Sequence, residues 1–101
     1  MNYSFVLREE ASKEFAEAYV WYEEQRDGLG ITFELAVYDK INLICQNPLH
    51  YKISYKKYHQ AVVERFPFVV VYTINEKLKQ IVVFAIFHTS RNPQKQFRRK
   101  N

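Results

Sequence analysis

The chain has 101 residues, enough for one domain with one core and too few for two. With 48% hydrophobic, 26% charged and 17% aromatic residues, its composition excludes a disordered or collagen-like chain. A single cysteine, Cys45, excludes an internal disulfide, so the fold must rest on packing.

No apolar run is long enough to cross a bilayer, and the most apolar stretch, residues 81–87, has the length of a strand. The opening Met1-Asn2-Tyr3-Ser4 lacks the basic start and apolar block of a signal peptide. These features predict a reduced, cytoplasmic protein with no membrane partner. The net charge of +4 conceals a split: residues 1–47 hold 4 Lys/Arg against 9 Asp/Glu, and residues 48–101 hold 11 against 2. Such a division predicts a basic C-terminal half facing RNA, DNA or an acidic protein segment, or else a solvated face that keeps the chain soluble.

In chain order, Tyr3, Phe5 and Leu7 alternate with Ser4, Val6 and Arg8, the period of a first strand. From about Ala11 the period lengthens, and Ala11, Phe15, Ala18, Tyr19 and Tyr22 form one helical stripe. Glu9, Glu10 and Glu14 suit the positive end of that helix, while Glu23 and Glu24 read as solvated and Trp21 as half exposed. Asp27-Gly28-Leu29-Gly30 breaks the helix, both glycines tolerating the positive φ of a helix stop. Phe33, Ala36, Val37, Ile41 and Ile44 mark a second helix that ends at Asn47-Pro48, and so short a break predicts an antiparallel hairpin.

Residues 49–57 read as a basic loop with at most a short extended piece. Three strands follow, over residues 58–66, 68–74 and 79–88, with Pro67 at a junction and a polar turn at residues 75–78. The last two strands are apolar on both faces. The expected fold is α+β: one domain over residues 1–101, with a helix hairpin on one face of a small, mainly antiparallel sheet of about four strands. Residues 92–101 form a short basic tail.

Metal chemistry has little support, because His50, His59 and His88 are scattered and Cys45 has no partner at ligand spacing. No glycine loop cradles a phosphate, so no cofactor is expected. The segment from His88 through Thr89, Ser90, Arg91 and Asn92 to Pro93 leaves the last core strand, where a rigid backbone can present side chains to a groove. Histidine can move a proton there and arginine can grip a phosphate, although a histidine packed at a sheet end is an equal reading. Strand alternation puts His88 on the face of Phe84 and Ile86. Arg65, the loop lysines Lys52, Lys56 and Lys57, and the tail residues Lys95, Arg98 and Arg99 supply further positive charge for RNA or another target. Tyr51, Tyr55 and Tyr58, interleaved with those lysines, read either as stacking surfaces or as core.

The series Trp21-Tyr22-Glu23-Glu24-Gln25, Gly28-Leu29-Gly30, Phe33, Asn47-Pro48, Arg65-Phe66-Pro67-Phe68, Tyr72 and Phe87-His88-Thr89-Ser90-Arg91-Asn92-Pro93 resembles the RelE/ParE superfamily of bacterial toxins. The likeness runs in order over residues 3–93. It implies the toxin half of a type II toxin–antitoxin, or plasmid stabilisation, module, with a cognate antitoxin as partner. RelE-like members are implied to cut mRNA on the ribosome without a metal, the 2′-OH attacking the scissile phosphate. On that reading Arg65 matches the strand arginine, His88 or Arg91 the acid and cation, and the three loop lysines the basic loop. Several such members use a late tyrosine; here none follows Tyr72, and Phe97 near that place cannot transfer a proton.

ParE-like members are implied to bind DNA gyrase instead, and the Gly-Leu-Gly and Phe-Pro-Phe pieces are more similar to that branch. The resemblance therefore implies a gyrase-binding toxin. An mRNA endoribonuclease acting with the ribosome is the alternative, and a non-toxic binding module of the same fold is a third. The antitoxin is expected to lay a helix or extended segment with acidic groups along the basic half, and DNA to be reached only through it.

Overall fold

A computed structural model of the chain describes residues 2–90. β1 (Ser4–Leu7) leads into α1 (Glu9–Gln25), and α2 (Leu29–Gln46) follows after a three-residue break. A 3-10 turn at Pro48–His50 then precedes β2 (Ile53–Tyr55), β3 (Tyr58–Val62), β4 (Phe68–Asn75) and β5 (Gln80–His88). The sheet has five strands in the order β1-β5-β4-β3-β2. Among the described residues, only the β1–β5 pair is parallel.

The α+β architecture expected from periodicity is present, with one strand more than anticipated. The extra strand is β2, whose three residues pair with β3 inside the segment read as a loop. β3 also stops four residues early. Arg65 takes a left-handed φ of 71°, and the Val63 N–H donates to the Phe68 carbonyl at 2.9 Å, so residues 64–67 form a turn.

Both helices pack on one face of the sheet. Phe33, Val37, Ile41 and Ile44 of α2 join Ala11 of α1, Val70 and Tyr72 of β4 and Ile81, Val83 and Ile86 of β5 in the main core. Tyr3, Phe5 and Leu7 pack against it, as the alternation of β1 predicts. Phe33 is central. Its ring lies 5.8 Å from Phe15, 5.1 Å from Tyr22, 5.2 Å from Phe66 and 5.0 Å from Phe68. On the other face, Val69, Val71, Phe84, Ala85 and Phe87 form a second buried cluster against which Tyr58 packs.

The helix break works differently from the expectation. Of the two glycines, Gly28 alone has a positive φ, at 88°. Gly30 lies inside α2, where an added Cβ would stand 2.8 Å from the Tyr19 carbonyl oxygen and 2.9 Å from Glu23 Oε1. Its bare backbone is what lets the two helices approach. Glu23 is half-buried and does more than meet solvent: its carboxylate accepts from Gly28 N at 2.8 Å and Gly30 N at 2.9 Å, satisfying N–H groups at the start of α2.

β5 contains an irregularity that decides its facing. Val71 pairs with Ala85 but Tyr72 pairs with Val83, leaving Phe84 as an extra residue. Ile81 and Val83 face the helices, Phe84 and Ala85 the other face, and Ile86 the helices again. The expectation that His88 shares a face with both Phe84 and Ile86 is therefore half right. His88 goes with Ile86, and the bulge moves Phe84 to the opposite face.

Replacing Gly30 with alanine should destabilise the protein by about 1–3 kcal/mol, because the methyl meets backbone at Tyr19 and displaces the Glu23 carboxylate. Thermal or urea unfolding checks this, and an unchanged midpoint would count against the close approach.

Candidate functional site

The segment that carries the predicted lysines is tied to the core by polar contacts. The Tyr72 side chain is fully buried, and its hydroxyl donates to the Pro48 carbonyl at 2.6 Å. His59, also buried, stacks on Tyr72 at 5.0 Å, and its Nδ1 donates to the Tyr51 carbonyl at 2.7 Å. The buried Lys40 places its ammonium 5.4 Å over the Tyr51 ring and 3.5 Å from Glu64 Oε2. Three core residues thus hold residues 48–51, from which β2 departs. Burial, with Tyr51 adding to it, pushes the Tyr72 phenol far above its ordinary range.

Lys40 is not named in the sequence reading, and His59 only as one of three scattered histidines, yet the signal was present. Lys40 falls on the same helical face as Val37, Ile41 and Ile44, and His59 alternates with Ala61 on the inward side of β3.

Beyond that anchor, Lys52 precedes β2, and Lys56 and Lys57 make the two-residue turn between Tyr55 and Tyr58. All three lysines are exposed. Lys56 takes a φ of 49° and lies 5.3 Å over the Tyr55 ring. Ile53 on the same edge strand is 57% exposed. The structure thus brings these lysines together on one hairpin.

Arg65 and His88 line other depressions. Arg65 stands exposed in the β3–β4 turn and lines a depression beside α2, with Thr32, Leu35, Asp39, Leu43 and Phe66. His88 lies at the end of β5 and lines a cavity beside α1, with Glu14, Glu17, Trp21, Tyr22 and Phe68. The Ser90 N–H is placed to donate to His88 Nδ1, at 3.1 Å. Ser90 Oγ is 2.7 Å from the same Nδ1, and Phe68 packs edge-on at 5.0 Å. Arg91, Lys95, Arg98 and Arg99 lie outside the described residues. Among the described residues, no group of three His, Cys, Asp or Glu side chains is placed to hold a metal ion. No helix among them is long and apolar enough to cross a membrane.

A helix hairpin thus covers one face of a five-stranded sheet whose N-terminal strand pairs in parallel with β5. A solved chain described as the chromosomal ParDE TA system from P. aeruginosa is similar in fold, with a TM-score of 0.72. The similarity covers 87% of this chain and 97% of that one at 14% identity. No curated protein matches in sequence. The family described as the ParE toxin of type II toxin–antitoxin system, parDE, matches residues 5–93. The chain belongs to this family, the ParE branch of the RelE/ParE superfamily, and is the toxin half of a type II toxin–antitoxin system, a class that implies an antitoxin partner.

Tyr72→Phe should cost about 1–2 kcal/mol by leaving the Pro48 carbonyl without its donor. It should also change the alkaline limb of stability. The folded state holds the phenol protonated while the unfolded chain ionises near the ordinary value of 10.0, so stability falls as pH rises above that value. Unfolding by urea at pH 8 and at about pH 11 should show a smaller alkaline loss in the variant than in the parent.

Proposed function

We propose that this protein arrests growth by binding DNA gyrase in the cytoplasm and is neutralised by a cognate antitoxin. The carrying observation is the match of residues 5–93 to the family described as the ParE toxin of type II toxin–antitoxin systems, the branch that the resemblance associates with gyrase binding. Arg65 and His88 line different depressions, one beside α2 and one beside α1.

The hairpin with Lys52, Lys56 and Lys57 is the surface we assign to an anionic target. Exposed lysines steer association with acidic partners and leave stability largely to the core. Antitoxin neutralisation follows if its acidic groups cover the same lysines. DNA then enters only through the antitoxin.

Purified protein should inhibit supercoiling by gyrase at micromolar concentration. The Lys56→Glu, Lys57→Glu double variant should lose at least several-fold in potency with an unchanged melting temperature. Unaltered supercoiling at those concentrations, with an immediate fall in protein synthesis on induction, would transfer the assignment to ribosome-dependent cleavage. His88→Ala would then be the variant to test.

A further inference from the structure

The cavity between α1 and the end of β5 has a chemistry unlike that of the lysine hairpin. Its volume is about 280 Å³, its walls include Trp21, Tyr22 and Phe68, and its charged groups are the carboxylates of Glu14 and Glu17. Trp21 is 56% exposed and meets Tyr22 edge-on at 5.1 Å. Glu14 Oε1 accepts from Ile86 N at 3.0 Å, whereas Glu17 makes no hydrogen bond or ion pair among the described residues.

The backbone beside this cavity is also an open edge. β1 pairs with β5 only as far as Leu7 and Val83, and Arg8 N–H closes the pair on the Val83 carbonyl. Past that point α1 replaces a neighbouring strand. The Ile86 N–H points away from β4, toward Glu14, and alternation sends the N–H and C=O of His88 the same way. Among the described residues, these His88 groups have no backbone partner on that side.

We propose that this cavity receives the guanidinium of an arginine on an extended segment of the antitoxin, with that segment's backbone pairing to His88. The occupant's identity rests on the toxin–antitoxin reading; the cavity's preference for a guanidinium does not. Two carboxylates disfavour an anion, and a purely apolar side chain would desolvate Glu17 without compensation. A planar cation meets both demands: it stacks on aromatic faces and offers a fork of donors to a carboxylate. An extended chain is the form that an unpaired strand edge recognises, through main-chain hydrogen bonds with side chains set into flanking pockets.

The direct test is a titration of the isotope-labelled full chain with Nα-acetyl-arginine N-methylamide, followed by amide and indole NMR shifts. The Trp21 indole N–H and the Ile86 and His88 amides should shift saturably. The citrulline analogue, of the same shape without the charge, should produce no saturable shift, and Glu17→Gln should weaken the arginine response several-fold. Equal response to citrulline would overturn the proposal. So would shifts centred on Leu35 and Leu43, or no saturable response because the chain fills the cavity itself. In the complex, Glu17→Arg should weaken antitoxin binding at least tenfold, and unchanged affinity would overturn the antitoxin as occupant. Failure of the toxin–antitoxin reading appears separately, as the absence of any operon partner co-purifying with the chain, and leaves the arginine titration decisive for the cavity.

Discussion

The contact on which the rest of the structure depends is the packing of Phe33 into the rings of α1, β4 and the turn before β4. A chain of this size without a disulfide must fix its helices on the sheet by side-chain burial alone. Phe33 is fully buried and touches Phe15 and Tyr22 of α1, Phe66 of the turn and Phe68 of β4. One ring therefore sets the height of the helix hairpin above the sheet. The same contact fixes Tyr22 and Phe68, which wall the cavity beside α1, and Phe66, which lines the depression that holds Arg65. Edge-on contacts dominate this cluster, an arrangement that adds to the area buried.

The bulge at Phe84 does comparable work on the sheet. Without an extra residue, a strand that points Ile81 and Val83 at the helices would point Ala85 and Phe87 there too. Phe87 would then lie under α1, and Ile86 and His88 would face away from it. The bulge exchanges the two sets. It gives the outer cluster Phe84 and Phe87, and gives the cavity Ile86 and His88. It also lies just where pairing with β1 ceases, so a change of facing and the opening of an edge coincide within a few residues.

What the sequence made legible follows from how distinct each pattern is. The helices were readable because Phe15, Ala18 and Tyr22, and again Phe33, Val37 and Ile41, repeat at a spacing that no strand shares. β2 was not, because Ile53, Ser54 and Tyr55 are three residues among lysines, and their pairing is a tertiary fact. The bulge was hidden for a different reason: β5 is apolar on both faces, so a slip of one residue leaves no change in polarity to detect. Glu23 was read as solvated because it falls beside the apolar stripe, and only the returning start of α2 supplies the N–H groups that it accepts from. Of the candidate site, the lysine cluster was legible as a local run. The depressions that Arg65 and His88 line were not, since these depend on how the helices pack beside each loop.

The charge split along the chain becomes a spatial one through strand order. α1, with Glu14 and Glu17, packs on β1 and β5 at one edge of the sheet. Lys52, Lys56 and Lys57 adjoin or link β2 and β3 at the other edge, with β4 and β3 lying between β5 and β2. Three strand spacings separate β5 from β2, about 14 Å at the usual inter-strand distance. That exceeds the screening length of about 8 Å at physiological salt, so the two sets of charge barely sense each other. The acidic and the basic groups can therefore be engaged independently. A partner that met both would need charges of both signs spaced to match the sheet's width. Added salt should weaken engagement of the exposed lysines first, because charges in a partly enclosed aromatic cavity are screened less than those on an open hairpin.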